Sequence, residues 1–212
     1  TVSVRTSAGE AQFALPMPGQ FNVANALTVL GLLLVEGISL GRACESLAMV
    51  SAPPGRMQRV PVESGPQVYI DYAHTPDALR VALTALREHQ DGELWCVFGC
   101  GGDRDAGKRP LMAQVVEELA DRIVITNDNP RSEDPGAIVA DIVGGFSARA
   151  KFTAIEDRAS AIGWAIANAD SSDTLLVAGK GHEDYQIIGI ERRDFSDFDI
   201  AEANLGSKRV NT

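Results

Sequence analysis

Cysteine is scarce: Cys44, Cys96 and Cys100 are the only three in 212 residues. An odd number at mixed spacing does not make a disulfide framework. Cys96 and Cys100 are too few for a zinc site, and no ligand-like histidine pair accompanies them, so no metal ligands are assigned. All three read as reduced thiols of a cytoplasmic protein, with Cys96 buried. Positive charge is also short. Nineteen Lys and Arg against 29 Asp and Glu give a formal net charge of -10, and the pI is about 4.7. General nucleic-acid binding needs a basic face to neutralise phosphates, so no nucleic-acid partner is expected, although a local basic pocket for a small anion stays open. Long hydrophobic runs are missing. The longest, Leu27 to Val35, is interrupted by Thr28 and Gly31 and falls far short of the roughly 20 residues that span a bilayer. No membrane partner is expected. No charged leader with a cleavage site opens the chain; it begins at Thr1 in what reads as a strand, as a fragment would. There is no internal repeat and no low-complexity tract.

What is present is an ordinary globular composition, 45% hydrophobic and 23% charged. Residues 1–15 alternate loosely (Val2, Val4, Ala11, Phe13, Leu15) and read as a hairpin, which Pro16, Pro18 and Gly19 end. Phe21 to Val35 suits a buried helix, and about Leu40 to Met49 a second. Ser51-Ala52-Pro53-Pro54-Gly55 is the strongest boundary, because two prolines and a glycine cannot continue a helix. It divides the chain into 1–52 and 53–212.

After that boundary the pattern becomes strand, loop, helix, repeated. Strands are expected at Val68–Ile70, Leu94–Phe98, Ile123–Thr126, Phe152–Ile155 and Thr174–Ala178, and one more from Gln186 to Ile190 running into Phe195. Helices are expected after Thr75-Pro76, at Pro110, after Asp134-Pro135 and after Asp157, where capping residues precede apolar periodicity. The alternation implies an α/β fold with a Rossmann-like, mostly parallel sheet and helices on both faces. Ligands of such sheets sit at the carboxyl ends of the strands. The loops there are 71–75, 99–109, 127–134 and 179–184, and they hold nearly every unusual cluster in the chain. The end, Gly206 to Thr212, is polar and expected to fray.

Asp128-Asn129-Pro130-Arg131 presents a carboxylate, an amide and a guanidinium at a strand end. The guanidinium fork fits a carboxylate in bidentate fashion, so the set can grip a molecule with an amine and a carboxylate. A plain turn would explain Asn129 and Pro130 but leaves Arg131 without a task, unless Asp128 pairs with it in a weak surface salt bridge. Gly102 to Arg109 resembles a phosphate loop, yet Arg109 stands where the magnesium-holding hydroxyl belongs. The dinucleotide fingerprint is broken too, by Arg104 at the third glycine's place. A solvated turn is the plain alternative, although five charged residues there favour a ligand loop. In Gly179-Lys180-Gly181-His182-Glu183 the glycines allow close backbone approach. Glu183 could hold an ammonium group and Lys180 a carboxylate or phosphate. A helix-capping turn explains Thr75 and Asp77 but does not require Asp71 and His74, which could bond a ribose or base. His89 reads as a surface residue.

Together these segments resemble the Mur ligases, and among them those that add the third residue of the peptidoglycan stem peptide. The resembling residues are Gly19 to Ala26, Pro54-Gly55-Arg56-Met57, Asp71 to Asp77, Gly101 to Asp105, Asp128 to Arg131 and Gly179 to Glu183, in family order over most of the chain. The resemblance implies that 1–52 is the end of a central ATPase domain and 53–212 the whole acceptor domain. It implies that Arg104, Asp128, Asn129, Pro130, Arg131, Gly179 and Glu183 bind meso-diaminopimelate, with Arg131 on its distal carboxylate. Asn22, Asn25, Asp71 and His74 fall near the ATP adenosine, and Arg56 reaches toward phosphates. The implied reaction phosphorylates the D-glutamate carboxylate of UDP-N-acetylmuramoyl-L-alanyl-D-glutamate with ATP. The amine of diaminopimelate then attacks the acyl phosphate, while Mg2+ offsets charge on the phosphoryl group. The full Walker loop, the magnesium ligands and the family's modified lysine are absent from this chain. No catalytic residue is therefore assigned within it, and alone it is expected to be inactive. A monomer acting on small molecules is expected. The alternatives are another ligase of the superfamily, of folylpolyglutamate or cyanophycin type, and a non-catalytic amino-acid- or nucleotide-binding module.

Overall fold

The computed structural model describes residues 1–208. Two compact units divide the chain, Thr1–Pro53 and Pro54–Thr212. In the first, strands β1 (Val2–Thr6) and β2 (Gly9–Phe13) pair antiparallel, with Val2 opposite Phe13. Helices α1 (Gln20–Val35) and α2 (Leu40–Ala48) follow. Val4, Phe13, Ala26, Leu30, Ala43, Cys44 and Leu47 form the small core of this unit. The expectation that α1 is a buried helix needs correction. Only Asn22, Ala26 and Leu30 are buried along it, while Leu32 is 62% and Val35 84% exposed. Apolar residues surround the whole helix, but only the stripe of Ala26 and Leu30 joins the core with Val4, Phe13 and α2.

The second unit is built on a six-stranded sheet. Its strands are β3 (Gln58–Arg59), β4 (Gln67–Asp71), β5 (Leu94–Phe98), β6 (Arg122–Ile125), β7 (Phe152–Ala154) and β8 (Thr174–Ala178). They stand in the order β3-β4-β8-β5-β6-β7. All neighbours run parallel except β3, which pairs antiparallel with β4. Every residue of β5 and β8 is buried, as central strands covered on both faces require. Helices α3 (Pro76–Arg87), α4 (Lys108–Leu119) and α5 (Pro135–Val143) contribute to one core with Leu94, Cys96 and Phe98 of β5. Trp95 and Val97 point the other way, into a second core with α6 (Arg158–Asn168) and α7 (Asp197–Lys208). The period of two along β5 thus joins both layers.

The helix starts have local causes. Thr75 Oγ1 accepts from Ala78 N at 3.3 Å, the Asp134 carboxylate from Ala137 N at 3.0 Å, and the Asp157 carboxylate from Ser160 N at 2.8 Å. Each satisfies a backbone donor that the first turn leaves open. Helix α4 begins two residues before Pro110, which sits inside its first turn. The run from Gln186 toward Phe195 is not one strand. Gly189, at a φ of 60°, turns it into a hairpin of β9 (Tyr185–Ile188) and β10 (Glu191–Asp194), separate from the main sheet. Helix α7 lies where no element was expected. It takes in Gly206 to Lys208, so of the stretch expected to fray only 209–212 lies outside the described residues. No helix among the described residues is long and apolar enough to cross a membrane.

Candidate functional site

The four loops at the carboxyl ends of β4, β5, β6 and β8 meet around a pocket of about 410 Å3. His74, Arg104, Asp128, Asn129, Arg131, Gly179 and Glu183, all singled out in the sequence, line it. Tyr72, Gly101, Asp105, Lys108 and Tyr185 complete the lining. Pro130 is buried and stands outside the lining. Its carbonyl lies where a Cβ on Gly102 would come within 1.9 Å, so the two loops meet backbone to backbone. Asn22 and Asn25 lie on α1 in the first unit. Asn22 Nδ2 donates to the Pro18 carbonyl at 2.7 Å, and Asn25 is exposed.

One wall is a buried polar network. Asp128 and Asn129 are 7% and 2% exposed, and Lys180 is fully buried. Lys180 Nζ donates to Asn129 Oδ1 at 2.8 Å and to the Tyr185 carbonyl at 2.7 Å. It lies 3.5 Å from Asp128 Oδ1 and 3.6 Å from Glu183 Oε2. Asn129 Oδ1 also accepts from Ile187 N at 2.9 Å, and Asn129 Nδ2 donates to Glu183 Oε2 at 2.8 Å. Burial pushes the Lys180 ammonium below its usual value, and Asp128 opposes that shift. Gly179 holds a φ of 119° against this wall, and a Cβ there would stand 2.7 Å from Asp128 Oδ2. Only glycine allows both the angle and the approach.

Behind this wall Arg158 and Asp197 pair in full burial. Arg158 Nε and Nη2 donate to the two Asp197 oxygens, each at 2.7 Å. Arg158 Nη2 also reaches the Ala178 carbonyl at 3.0 Å, and Nη1 the Asn127 carbonyl at 3.3 Å. One guanidinium therefore ties the ends of β6 and β8 to the start of α7. Burial works against its charge, but Asp197 holds it protonated.

The opposite wall is more open. Arg131 has a left-handed backbone, φ 52°, uncommon for a residue with a side chain. Arg131 N donates to the Ile187 carbonyl at 3.1 Å, and Gly189 N to the Arg131 carbonyl at 2.7 Å, so the β9–β10 hairpin clamps it. Arg131 Nη1 donates to the Gly102 carbonyl at 2.7 Å, and its Nε–Nη2 edge has no hydrogen bond to the described residues. Arg104 and Asp105 are exposed, and Lys108 Nζ donates to the His74 carbonyl at 2.8 Å. Asp103 accepts from Ser132 Oγ at 2.7 Å and from Ser132 N at 3.2 Å. These bonds hold its carboxyl below the ordinary range.

Several residues do other work than expected. Lys180 has no exposed surface to offer a carboxylate or phosphate of a ligand, and its ammonium donates to Asn129 and Tyr185 instead. Asp128 pairs with Lys180 rather than with Arg131. Arg109 is 2% exposed and bonded to Glu133 and Asp141, so it braces the loop from behind rather than presenting charge. The Asp71 carboxylate accepts from Met57 N at 2.7 Å and Ala73 N at 2.8 Å, joining two turns. Burial raises it above the usual value, against those two donors. His74 is exposed, with its ring against Tyr72 at 4.6 Å between centroids, and the exposed Arg56 lies 4.8 Å over the Tyr72 ring. Tyr185 escaped sequence reading because a tyrosine opening a strand is ordinary; nothing local marks it as pocket lining. For Mg2+, the described residues offer no group of three or more His, Cys, Asp or Glu side chains able to hold a metal ion.

A doubly covered, mostly parallel sheet with a charged pocket at its carboxyl ends defines an α/β ligand-binding domain. The family model "Mur ligase, glutamate ligase domain" matches residues 55–181, and the chain belongs to that family. It is 50% identical over 208 residues to the UDP-N-acetylmuramoyl-L-alanyl-D-glutamate--2,6-diaminopimelate ligase of Synechococcus sp. (strain WH7803), covering 96% of this chain and 42% of the relative. The ligase of the same name from Pseudomonas aeruginosa is 50% identical over 205 residues, covering 97% of this chain and 42% of the relative. A solved structure of a UDP-N-acetylmuramoyl-L-alanyl-D-glutamate--2,6-diaminopimelate ligase superposes with a TM-score of 0.77 at 37% identity, covering 98% of this chain and 42% of that one. The chain thus spans about two fifths of the length of the curated relatives it matches.

Proposed function

We propose that the chain is the amino-acid-accepting part of an ATP-dependent ligase of peptidoglycan precursor synthesis, which adds meso-diaminopimelate to UDP-N-acetylmuramoyl-L-alanyl-D-glutamate. The observation that carries this reading is the polarity of the pocket. Two carboxylates, Asp128 and Glu183, stand on one wall, and the free Nε–Nη2 edge of Arg131 with Arg104 stands on the other. An amino-acid head, ammonium beside carboxylate, fits between such walls. The Arg131 edge takes the distal carboxylate through two parallel hydrogen bonds. Asp128 and Glu183 take the ammonium at the same carbon. The other amine of the molecule stays outside this grip and serves as nucleophile toward an acyl phosphate. This part of the protein supplies positioning, which accounts for much of the rate of such reactions.

Residues 1–52 belong, in this reading, to the end of the ATP-binding domain, and 53–212 form the acceptor domain. Asn22, Asn25, Asp71, His74 and Arg56 are assigned to the nucleotide side. Asp71 acts there by holding its turn, since both its oxygens already accept backbone donors. Mg2+ is assigned to residues outside this chain. The protein acts on small molecules, in the cytoplasm, as a monomer.

Arg131→Ala in the full-length protein tests the pocket. The specificity constant for diaminopimelate should fall by about 100-fold or more, because a buried carboxylate loses its partner, while the KM for ATP changes little. Steady-state kinetics with each substrate varied in turn decides it. A preference for lysine, or indifference to the substitution, overturns the assignment.

A further inference from the structure

We propose that Lys180 is a positioning residue. Its buried ammonium orients Asn129, Asp128 and Glu183 so that the two carboxylates hold one substrate ammonium, and Lys180 itself does not touch the substrate. This rests on the reading of the pocket as an amino-acid site.

The ammonium carries three protons. One goes to Asn129 Oδ1 and one to the Tyr185 carbonyl. Beyond these, the nearest acceptors to Nζ are Asp128 Oδ1 and Glu183 Oε2, at 3.5 and 3.6 Å. These protein atoms enclose the ammonium on the side of the pocket. The rings of Tyr185 and Phe195, 5.7 and 6.0 Å from Nζ, flank the ammonium, and Lys180 has no exposed surface.

The asparagine amide is constrained in turn. Its oxygen and nitrogen ends are nearly alike in shape, so bonding partners alone choose its orientation. Lys180 Nζ and Ile187 N are both donors, and both converge on Oδ1. A flipped amide would set its NH2 against two donors. The lysine therefore forces Nδ2 toward Glu183 Oε2, at 2.8 Å, and this fixes the carboxylate that lines the pocket.

Charge acts as well. Asp128 and Glu183 carry two negative charges beside a single lysine, and the Arg158–Asp197 pair behind them is neutral as a unit. The wall is left one negative charge in excess, which one ammonium balances. Without Lys180 the carboxylates would repel each other in a poorly solvated place, and their spacing would no longer suit a single cation.

The test uses the full-length protein and two acceptors, diaminopimelate and 2-aminopimelate, which lacks one amine. The unaltered enzyme should favour diaminopimelate. In Lys180→Met that preference should shrink by roughly tenfold or more. The loss should fall on the KM for diaminopimelate, with the KM for 2-aminopimelate and for ATP nearly unchanged. Lys180→Arg, which keeps the charge, should restore part of the preference. If both acceptors lose equally, or the ratio stays put, the inference is overturned. Should the variants fail to fold, acetylation footprinting of the unaltered protein decides. Lys180 should stay unlabelled with or without diaminopimelate, while exposed Lys151 reacts. Labelling of Lys180 in the free protein, with protection by diaminopimelate, would place the ammonium against the substrate and sink the proposal. Arg131→Ala run in parallel separates the two readings. If diaminopimelate use ignores Arg131, the pocket assignment fails; if it depends on Arg131 but not on Lys180, only this inference fails.

Discussion

The two walls of the pocket are built by opposite means. On the carboxylate wall, Asp128, Asn129, Lys180 and Glu183 bond one another, and Arg158 with Asp197 closes the network from behind. On the guanidinium wall, Arg104 and Asp105 stand in solvent, and Arg131 is held mainly by its backbone. The first wall has its geometry before any ligand arrives. The second keeps side-chain freedom that a ligand must remove, at a cost of up to about 2 kcal/mol for each long side chain. The difference teaches that buried charge here serves shape, while exposed charge is left to meet what enters.

The largest effect that should separate the walls is on stability. Asp197→Ala leaves the Arg158 guanidinium buried without its partner, and should lower the unfolding free energy by about 3–5 kcal/mol, read from urea melts. A loss below 1 kcal/mol would mean that water or a neighbour replaces the carboxylate and that the wall is less fixed than drawn. A smaller effect is expected from Gly179→Ala. The left-handed φ and the approach to Asp128 together should cost about 1–3 kcal/mol, with weakened acceptor binding measurable by calorimetry. The smallest belongs to the open wall. The Asp103 carboxyl is held below its ordinary value, so its contact with Ser132 adds stability above about pH 4 and loses it as pH falls through the lowered value. Carboxyl NMR titration should show Asp103 releasing its proton below the ordinary aspartate range. Titration at an ordinary value would show the 103–132 contact to be as loose as the rest of that wall.

Much of this was legible in the chain because its signals are local. Thr75, Asp134 and Asp157 announce helices through bonds to residues three positions on. The apolar runs at 94–98 and 174–178 mark strands buried on both faces. The loops that form the pocket could be located by asking which segments follow strand ends. What could not be read depended on distant partners. Lys180 looks from its neighbours like a ligand lysine; its burial is decided by Asn129 and Tyr185. Arg109 looks like part of a phosphate loop until Glu133 and Asp141 are seen to enclose it. The run 186–195 hides a turn at Gly189, because Ile190 carries the apolar pattern one residue past it. Helix α1 misleads for another reason: its sequence is apolar on all sides, yet this chain covers only part of it.

The clamp on Arg131 has a consequence for redesign. Its left-handed backbone is gripped by Ile187 and Gly189, with four elements lying between Arg131 and their hairpin in the chain. A transplant of Asp128 to Arg131 into another scaffold would carry the letters without the posture. The portable unit is the tetrapeptide together with the 185–194 hairpin, and any recombination point placed between them would split one tool into two useless halves.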